Sequence, residues 1–89
     1  MLYMVIERFR QGAATVGERF RESGRMMPEG LVYHASWVEP GGSRCFQIME
    51  APDRELLHVW IGRWNDLVDF EIIPVVTSAE FWSNFASET

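Results

Sequence analysis

The sequence contains a single cysteine, Cys45, among its 89 residues. One thiol cannot form an internal disulfide bond, which excludes a small secreted scaffold built on disulfides and agrees with a reducing, cytoplasmic location. The N-terminal apolar run, residues 1–6, ends at a charged pair and has no basic residues before it. It is too short for a signal peptide or a membrane span. We therefore expect a soluble protein with no membrane partner.

Basic residues are also few. Eight Lys and Arg residues stand against thirteen Asp and Glu residues, the net charge is −5, and the basic residues are scattered. Binding to nucleic acid requires a clustered basic surface, so nucleic acid is disfavoured as a partner. The predicted strand Arg44–Glu50 also lacks the paired aromatic residues of an RNA-recognition strand. An RNA-binding role is therefore the weakest alternative.

Histidine is equally scarce, since His34 and His58 are the only two. No HxH or HxxxH spacing occurs, and no Cys-His spacing supports Cys45 as a nucleophile. Glycine-rich phosphate loops and the GxSxG sequence are likewise missing. We expect neither a metal site nor a cofactor, and haem ligation by His34 is a distant alternative.

Aromatic residues, in contrast, are abundant. They make up 13% of the chain, which has four Trp residues, and 47% of all residues are apolar. A chain of this length forms a single domain, here residues 1–89, that buries about 64% of its surface. Such a core cannot hide every ring, so some rings are expected at a subunit interface or in a ligand pocket.

Runs of β-branched and aromatic residues predict four strands, at residues 1–9, 31–39, 44–50 and 67–76. The turn residues Pro40, Gly41, Gly42 and Ser43 join the second and third strands into a β-hairpin. Pro74 has no amide donor, which places the fourth strand at a sheet edge or at a bulge.

A first helix is predicted between the first two strands. Thr15 and Glu18 form a capping box, and Gly24 is its stop. The apolar positions at helical spacing are Ala13, Val16, Phe20 and Met27, and the positions assigned to solvent are Glu18, Arg19, Arg21, Glu22 and Arg25. This helix is expected to cover one side of the sheet.

Two further helices follow the hairpin. Asp53 is the expected N-cap of the second, whose apolar stripe comprises Leu56, Leu57, Trp60, Ile61 and Trp64. Thr77 and Glu80 form a capping box for a short C-terminal helix, on which Phe81, Trp82 and Phe85 share a side. A helix of about ten residues is not stable alone, so it must dock on its own subunit or on a neighbour.

The order strand, helix, strand, strand, helix, strand predicts an α+β fold, the ferredoxin-like βαββαβ plait with a short C-terminal helix. Right-handed crossovers place the first and third strands centrally and both main helices on one face of an antiparallel sheet. The sheet face without helices must be either polar or covered by another surface. Its residues are a mixture of polar and apolar types. We therefore expect a homodimer in which two sheets pack face to face.

Five segments also resemble the defining segments of a small bacterial family catalogued as a domain of unknown function. They are MLYMVIERF, RFRESGRMMPEG, SWVE, RCFQIME and WNDLVDFEIIPVV. The resemblance extends from Met1 to about Val76 and implies similarity to the dimeric α+β barrel superfamily. That superfamily includes cofactor-free monooxygenases, muconolactone-isomerase-like enzymes, haem-degrading proteins and stress-responsive proteins. The resemblance implies no activity and no catalytic residue.

Strand alternation divides the sheet residues between two faces. The side expected to face the helices comprises Leu2, Met4, Ile6, Phe46, Ile48, Phe70 and Ile72. The open face then collects Tyr3, Val5, Glu7, Cys45, Gln47, Met49, Asp69, Glu71 and Ile73. The second strand adds to it either His34 and Ser36 or Tyr33 and Trp37.

The candidate catalytic residues are His34, Glu7 and Glu71. Histidine is the side chain most often used as a general base, and a buried carboxyl can have a raised pKa and share acid–base work. A lone histidine on a strand is more often a hydrogen-bonded structural residue, and such carboxylates more often pair with Arg8 or Arg44. Each residue therefore has a structural interpretation beside the functional one.

Seven residues are candidates for ligand contact: Tyr3, Trp37, Cys45, Gln47, Met49, Trp60 and Trp64. Polar groups over apolar walls are typical of small-molecule pockets, although a tryptophan pair at helical spacing is more often core. One hypothesis is a non-catalytic dimer that binds a small apolar or aromatic molecule or has a structural or stress-related role. The other is a cofactor-independent isomerase or monooxygenase acting on an aromatic or polyketide-like substrate.

Overall fold

The computed structural model describes residues 1–87, which form one four-stranded antiparallel sheet and three helices. The strands are β1 (Leu2–Phe9), β2 (Val32–Val38), β3 (Arg44–Glu50) and β4 (Val68–Val75). The helices are α1 (Ala13–Ser23), α2 (Arg54–Ile61) and α3 (Ser78–Ser87). The element order is the predicted βαββαβ followed by a helix, and the ferredoxin-like fold is confirmed.

The strand order is β2-β3-β1-β4, so β1 and β3 are central, as the connections predict. Pro74 lies in the edge strand β4, opposite Tyr3 of β1. An edge strand has one side without a neighbouring strand, and this explains how the sheet accepts a residue that lacks an amide donor.

The β2–β3 hairpin contains one irregularity that the sequence pattern does not reveal. The register shifts between Tyr33 and Ala35, which is a β-bulge. Simple alternation puts Tyr33, Ala35 and Trp37 on one side, and this prediction is wrong. Because the bulge inserts an extra residue, Tyr33 is paired with Met49 while Trp37 is paired with Phe46, on the opposite face.

Helix α1 begins two residues before the predicted capping box. Its N-cap is Gly12, which offers no side-chain cap, and Thr15 is already inside the helix. The tight turn in which the Gly12 amide donates to the Phe9 carbonyl (3.3 Å) brings the chain directly into the helix. The predicted stop is confirmed, since Gly24 has a φ of 66° and its N–H donates to the Phe20 carbonyl.

Helix α2 begins as predicted, because the Asp53 side chain accepts a hydrogen bond from the Leu56 amide at 3.1 Å. It ends at Ile61, earlier than the apolar stripe suggests. Trp64 therefore lies in the turns that follow, yet it is buried like Trp60. The stripe identifies the buried residues correctly and the helix length incorrectly.

The Asp53 cap supplies a first prediction. Asp53→Ala removes the acceptor for one exposed amide of the first turn, and loss of such a cap costs about 1 kcal/mol of stability. We expect urea unfolding to show this loss with an unchanged m-value. Asp53→Asn, which keeps an acceptor oxygen, is the matched control and should retain most of the stability.

Helix α3 projects its aromatic residues into solvent. The Thr77 hydroxyl accepts from the Glu80 amide at 3.1 Å, as its predicted cap requires. Trp82 contacts Phe81 and Phe85 edge-to-face, with ring centroids 5.1 and 5.7 Å apart. All three rings are more than half exposed. Within residues 1–87, no other part of the chain covers this aromatic face of α3.

The helices cover the opposite side of the central strands from the one expected. Tyr3, Val5, Glu7, Cys45, Gln47 and Met49 are buried beneath them. Leu2, Met4, Ile6, Phe46 and Ile48 form the open face and are only partly buried. The expectation was wrong for β1 and β3, because Glu7 and Gln47 are buried and hydrogen-bonded instead of being solvated. In β4, Phe70 and Ile72 do lie on the helix side, where both pack against the core.

Candidate functional site

A cavity of about 250 Å³ lies between α1 and the helix-facing side of the sheet. Most of its wall is apolar, and it is lined by Phe9, Ala13, Val16, Gly17, Phe20, Val38, Trp60, Trp64 and Val68. The polar groups that reach it come from Glu7, Arg25, Ser36, Cys45 and Gln47. Apolar walls with a few convergent polar groups are the usual composition of a small-molecule site.

The cavity exists because α1 does not close onto the sheet. None of the eleven residues of α1 is buried, and Phe20, on its apolar side, remains 45% exposed. The helix is held by Arg19, whose two terminal nitrogens each donate to an Asp66 carboxylate oxygen at 2.6 Å. The Arg19 guanidinium also lies 5.7 Å from the Trp64 ring centroid. Helix α1 therefore forms one wall of the cavity and is held in place by Arg19.

Glu7 is the buried carboxyl of the cavity. It lies on β1 with 7% of its surface exposed, and it is hydrogen-bonded to the Cys45 thiol and the Gln47 side chain. Burial raises the pKa of Glu7 to about 7, although both hydrogen bonds and the nearby Arg25 charge act in the opposite direction. Near neutral pH this carboxyl can thus hold or release a proton inside an apolar space.

Cys45 serves Glu7 as a hydrogen-bond partner. Burial, followed by the charge and the hydrogen bond of Glu7, raises the pKa of the Cys45 thiol to about 12. The reactive form of cysteine is the thiolate, which a pKa this high suppresses at neutral pH. The geometry therefore supports Cys45 as a neutral donor and not as a nucleophile.

Arg25 contributes the positive charge of the site. Its guanidinium carbon lies 3.7 Å from the Tyr33 ring centroid and 5.2 Å from that of Phe20. The Tyr33 hydroxyl is itself hydrogen-bonded to Ser36 at 2.7 Å. A guanidinium over two rings is stabilised by cation–π attraction without losing its hydrogen-bond donors.

The backbone of Arg25 is fixed by the two buried tryptophans. The indole N–H groups of Trp60 and Trp64 both donate to the Arg25 carbonyl at 2.9 Å. In the next residue, Met26, φ is 56° and the carbonyl accepts from Arg63 at 2.7 Å. A non-glycine residue keeps such a strained conformation only where its surroundings hold it. The segment that presents Arg25 is therefore preorganised.

The structure brings five of the sequence-predicted site residues together in this cavity: Glu7, Cys45, Gln47, Trp60 and Trp64. Tyr3 and Met49 are buried in the core but do not line it. The cavity lies on the helix side of the sheet, whereas the polar set was placed on the open face. The residues keep their association because strand pairing sets Val5 opposite Gln47 and Glu7 opposite Cys45, whichever face is covered.

His34, Glu71 and Trp37 lie away from the cavity. His34 is at the bulge of the edge strand β2, where its Nε2 is 2.8 Å from a Glu50 carboxylate oxygen. Glu71 is exposed on β4, and Trp37 is 60% exposed on the open face. The structure therefore does not bring the proposed His34–Glu7–Glu71 combination together.

Arg25 is the important residue that the sequence interpretation missed, because its position was assigned to the solvent side of the first helix. Gly24 ends that helix, so the helical period does not apply to Arg25. The glycine at position 24 is the one sequence signal that separates Arg25 from the helix. Ser36, which the sequence pattern offers only for the open face, is paired with Gln47 on the helix side because of the β-bulge.

Within residues 1–87, no group of three or more His, Cys, Asp or Glu side chains is arranged to hold a metal ion. In the same part of the chain, no helix has both the length and the apolar character needed to cross a bilayer.

A family model described as "Domain of unknown function (DUF3303)" matches residues 1–88. No curated protein and no solved structure matches the chain. The family match covers the whole ferredoxin-like unit, including every residue that lines the cavity.

Proposed function

The chain belongs to the DUF3303 family, a domain of unknown function, and we propose that it binds a small aromatic molecule in the cavity beneath α1. The observation that carries the proposal is the cavity itself, which has apolar walls and a buried group of Glu7, Gln47 and Cys45. A concave site with apolar walls and a few convergent polar groups is the usual location of a small-molecule site.

The cavity has room for a ligand of one or two rings. Its volume is about 250 Å³, whereas an engineered apolar cavity of roughly 150 Å³ accepts benzene. The Trp60, Trp64 and Phe20 rings offer flat apolar contacts, while Glu7 and Gln47 provide hydrogen bonds at one end. A substituted benzene with one polar group satisfies both requirements.

An enzymatic role is the second candidate, and the raised pKa of Glu7, about 7, favours it. A carboxyl poised near neutral pH in an apolar cavity is suited to act as a general base, as a cofactor-independent isomerase or monooxygenase would need. His34 and Glu71 lie outside the cavity and give no support to this role. The binding function needs no second catalytic group and is preferred for that reason.

Filling the cavity tests the binding function. Gly17 lines it, and a Cβ added there would meet no atom within 4 Å. Gly17→Leu is therefore expected to occupy the space and to weaken benzamide binding at least tenfold in calorimetric titration, while the protein stays folded. The control is Gly41→Leu, an equal change in the hairpin turn, also in open space and outside the cavity. Equal affinity in both variants would contradict the proposed site.

We further propose that the protein is a homodimer whose subunits pack their open sheet faces together. This face carries Leu2, Met4, Ile6, Phe46 and Ile48, with Trp37 and Ile73 more exposed beside them. Monomeric proteins rarely leave an apolar patch of this extent in water. A cytoplasmic location agrees with the free thiol of Cys45.

The open sheet face alone is too small for a stable dimer interface, and helix α3 supplies the additional interface area. Four strands about 4.8 Å apart, with seven to eight residues each rising about 3.3 Å, give a face of roughly 500 Å². A stable interface buries about 800 Å² per partner. The exposed rings of Phe81, Trp82 and Phe85 are the apolar surface available to make up the difference. We therefore place α3 of each subunit against its partner.

A further inference from the structure

We propose that the ligand of the cavity is an aromatic carboxylate, whose anionic group pairs with the guanidinium of Arg25 while its ring lies against Trp60 and Trp64. This inference rests on the proposed binding function and specifies the chemical class of the ligand. Three observations on Arg25 support it: its position in the cavity wall, its packing against aromatic rings and the lack of an ion pair within residues 1–87.

Arg25 differs from the three arginines that form ion pairs within residues 1–87. Arg10 pairs with Asp69, Arg19 with Asp66 and Arg44 with Glu39. Within residues 1–87, the Arg25 side chain makes no ion pair and no hydrogen bond, although it lines the cavity and is half-buried. Its charge acts on the nearby Glu7 carboxyl, but within residues 1–87 no carboxylate forms an ion pair with it, so the donors of this partly buried guanidinium can bind an anion.

The packing of Arg25 leaves its donors available. The guanidinium carbon lies over the Tyr33 ring, 3.7 Å from its centroid, and this contact with the ring face uses none of the N–H groups, which lie in the plane of the guanidinium. The edge of that plane matches the two oxygens of a carboxylate, which accept two parallel hydrogen bonds. Because the indoles of Trp60 and Trp64 hold the Arg25 carbonyl, the donors are presented from a fixed backbone.

The charges around the cavity favour an anion. Within residues 1–87, the titratable side chains that face Arg25 are Glu7 on β1, Cys45 on β3 and Tyr33 on β2, and the thiol stays neutral because its pKa is about 12. The other residues that line it from α1, α2, β2 and β4 are uncharged. With Glu7 protonated, the site carries one uncompensated positive charge. A ligand carboxylate neutralises that charge, and its binding favours the protonated form of Glu7.

The decisive comparison uses two probes of nearly equal shape, benzoate and benzamide. Wild-type protein is expected to bind benzoate tenfold to a hundredfold more tightly at pH 6 in calorimetric titration, because a buried charge-assisted pair exceeds a neutral hydrogen bond by that margin. Arg25→Met keeps the apolar stem and should remove the preference while benzamide binding persists. Arg21→Met, an arginine on the exposed side of α1, is the matched control.

The pH dependence gives an independent test that needs no Arg25 variant to fold. The preference for benzoate should fall as the pH rises from 6 to 8, because ionised Glu7 then supplies the negative charge near Arg25. Glu7→Gln should abolish this fall.

Equal affinity for both probes at pH 6, or an Arg25→Met variant that keeps the preference, would overturn the carboxylate inference and leave the aromatic site standing. Failure of both probes to bind wild-type protein would overturn the binding function itself.

Discussion

Glu7→Gln is expected to raise the free energy of unfolding by about 3 kcal/mol at pH 8 and to change it little at pH 4. Burial raises the pKa of Glu7 from 4.5 to about 7 in the folded protein. A tenfold change in proton affinity corresponds to about 1.4 kcal/mol, so ionising the buried carboxyl costs folding about 3 kcal/mol above pH 7. The neutral amide of Gln avoids that cost and can accept the same hydrogen bonds from Cys45 and Gln47.

Wild-type stability falls with rising pH because the folded state binds the Glu7 proton more tightly than the unfolded state. Below pH 4.5 the carboxyl is protonated in both states, and between pH 4.5 and 7 only the unfolded state releases the proton, so wild-type stability falls as the pH rises. Urea unfolding at several pH values measures this. Glu71→Gln, the same change at an exposed position of β4, is the control. A wild-type profile that stays flat from pH 5 to 8 would contradict the burial of Glu7.

The second large effect is expected at the open sheet face. Ile48 lies on the central strand β3, opposite Met4 of β1. In the proposed dimer Ile48→Lys places an ammonium group in the middle of a buried apolar interface, where an unpaired charge costs several kcal/mol. We expect the dimer dissociation constant to rise more than a hundredfold, while the helix-side core stays intact.

Analytical ultracentrifugation and circular dichroism together measure this effect. Wild-type protein should sediment as a dimer of 10.3 kDa chains, and Ile48→Lys should sediment as a folded monomer. Val59→Lys is the matched control, because Val59 is an equally apolar, 48% exposed position on α2, away from the sheet face. A wild-type protein that remains monomeric at millimolar concentration would contradict the dimer.

Local rules were sufficient to predict the elements and their order. The turn residues between β2 and β3, the cap at Asp53 and the stop at Gly24 each act through a few neighbouring residues, and the structure retains all three. Handedness and connection order then place β1 and β3 at the centre. None of these features depends on which side of the sheet is finally covered.

The covered side could not be predicted, because it depends on contacts between distant elements. Both sides of β1 are mainly apolar, and the charged residue Glu7 indicates that its own side of the strand faces solvent. In the folded chain Glu7 is buried with Cys45 and Gln47 as hydrogen-bond partners, which offsets part of the cost of burial. The hydrophobicity of a single strand does not contain that information.

The candidate site was predicted in part for the same reason. Strand pairing keeps Glu7, Cys45 and Gln47 together, so this group was identified even though its face was not. Arg25 joins the group only because two indoles 35 and 39 residues away bind its carbonyl. The β-bulge at Tyr33 and Ala35 then sets the ring on which its guanidinium lies. Both are tertiary features with no local sequence pattern.

The central claim, that a small aromatic molecule binds beneath α1, is tested most directly by the indole N–H signals of the four tryptophans in a ¹⁵N NMR titration with the neutral probe benzamide. Trp60 and Trp64 line the cavity, whereas Trp37 lies on the open face and Trp82 on α3. We predict saturable shifts of the Trp60 and Trp64 signals, with Trp37 and Trp82 unchanged. Saturable shifts confined to Trp37 and Trp82, or no saturable shift at any indole, would contradict the claim.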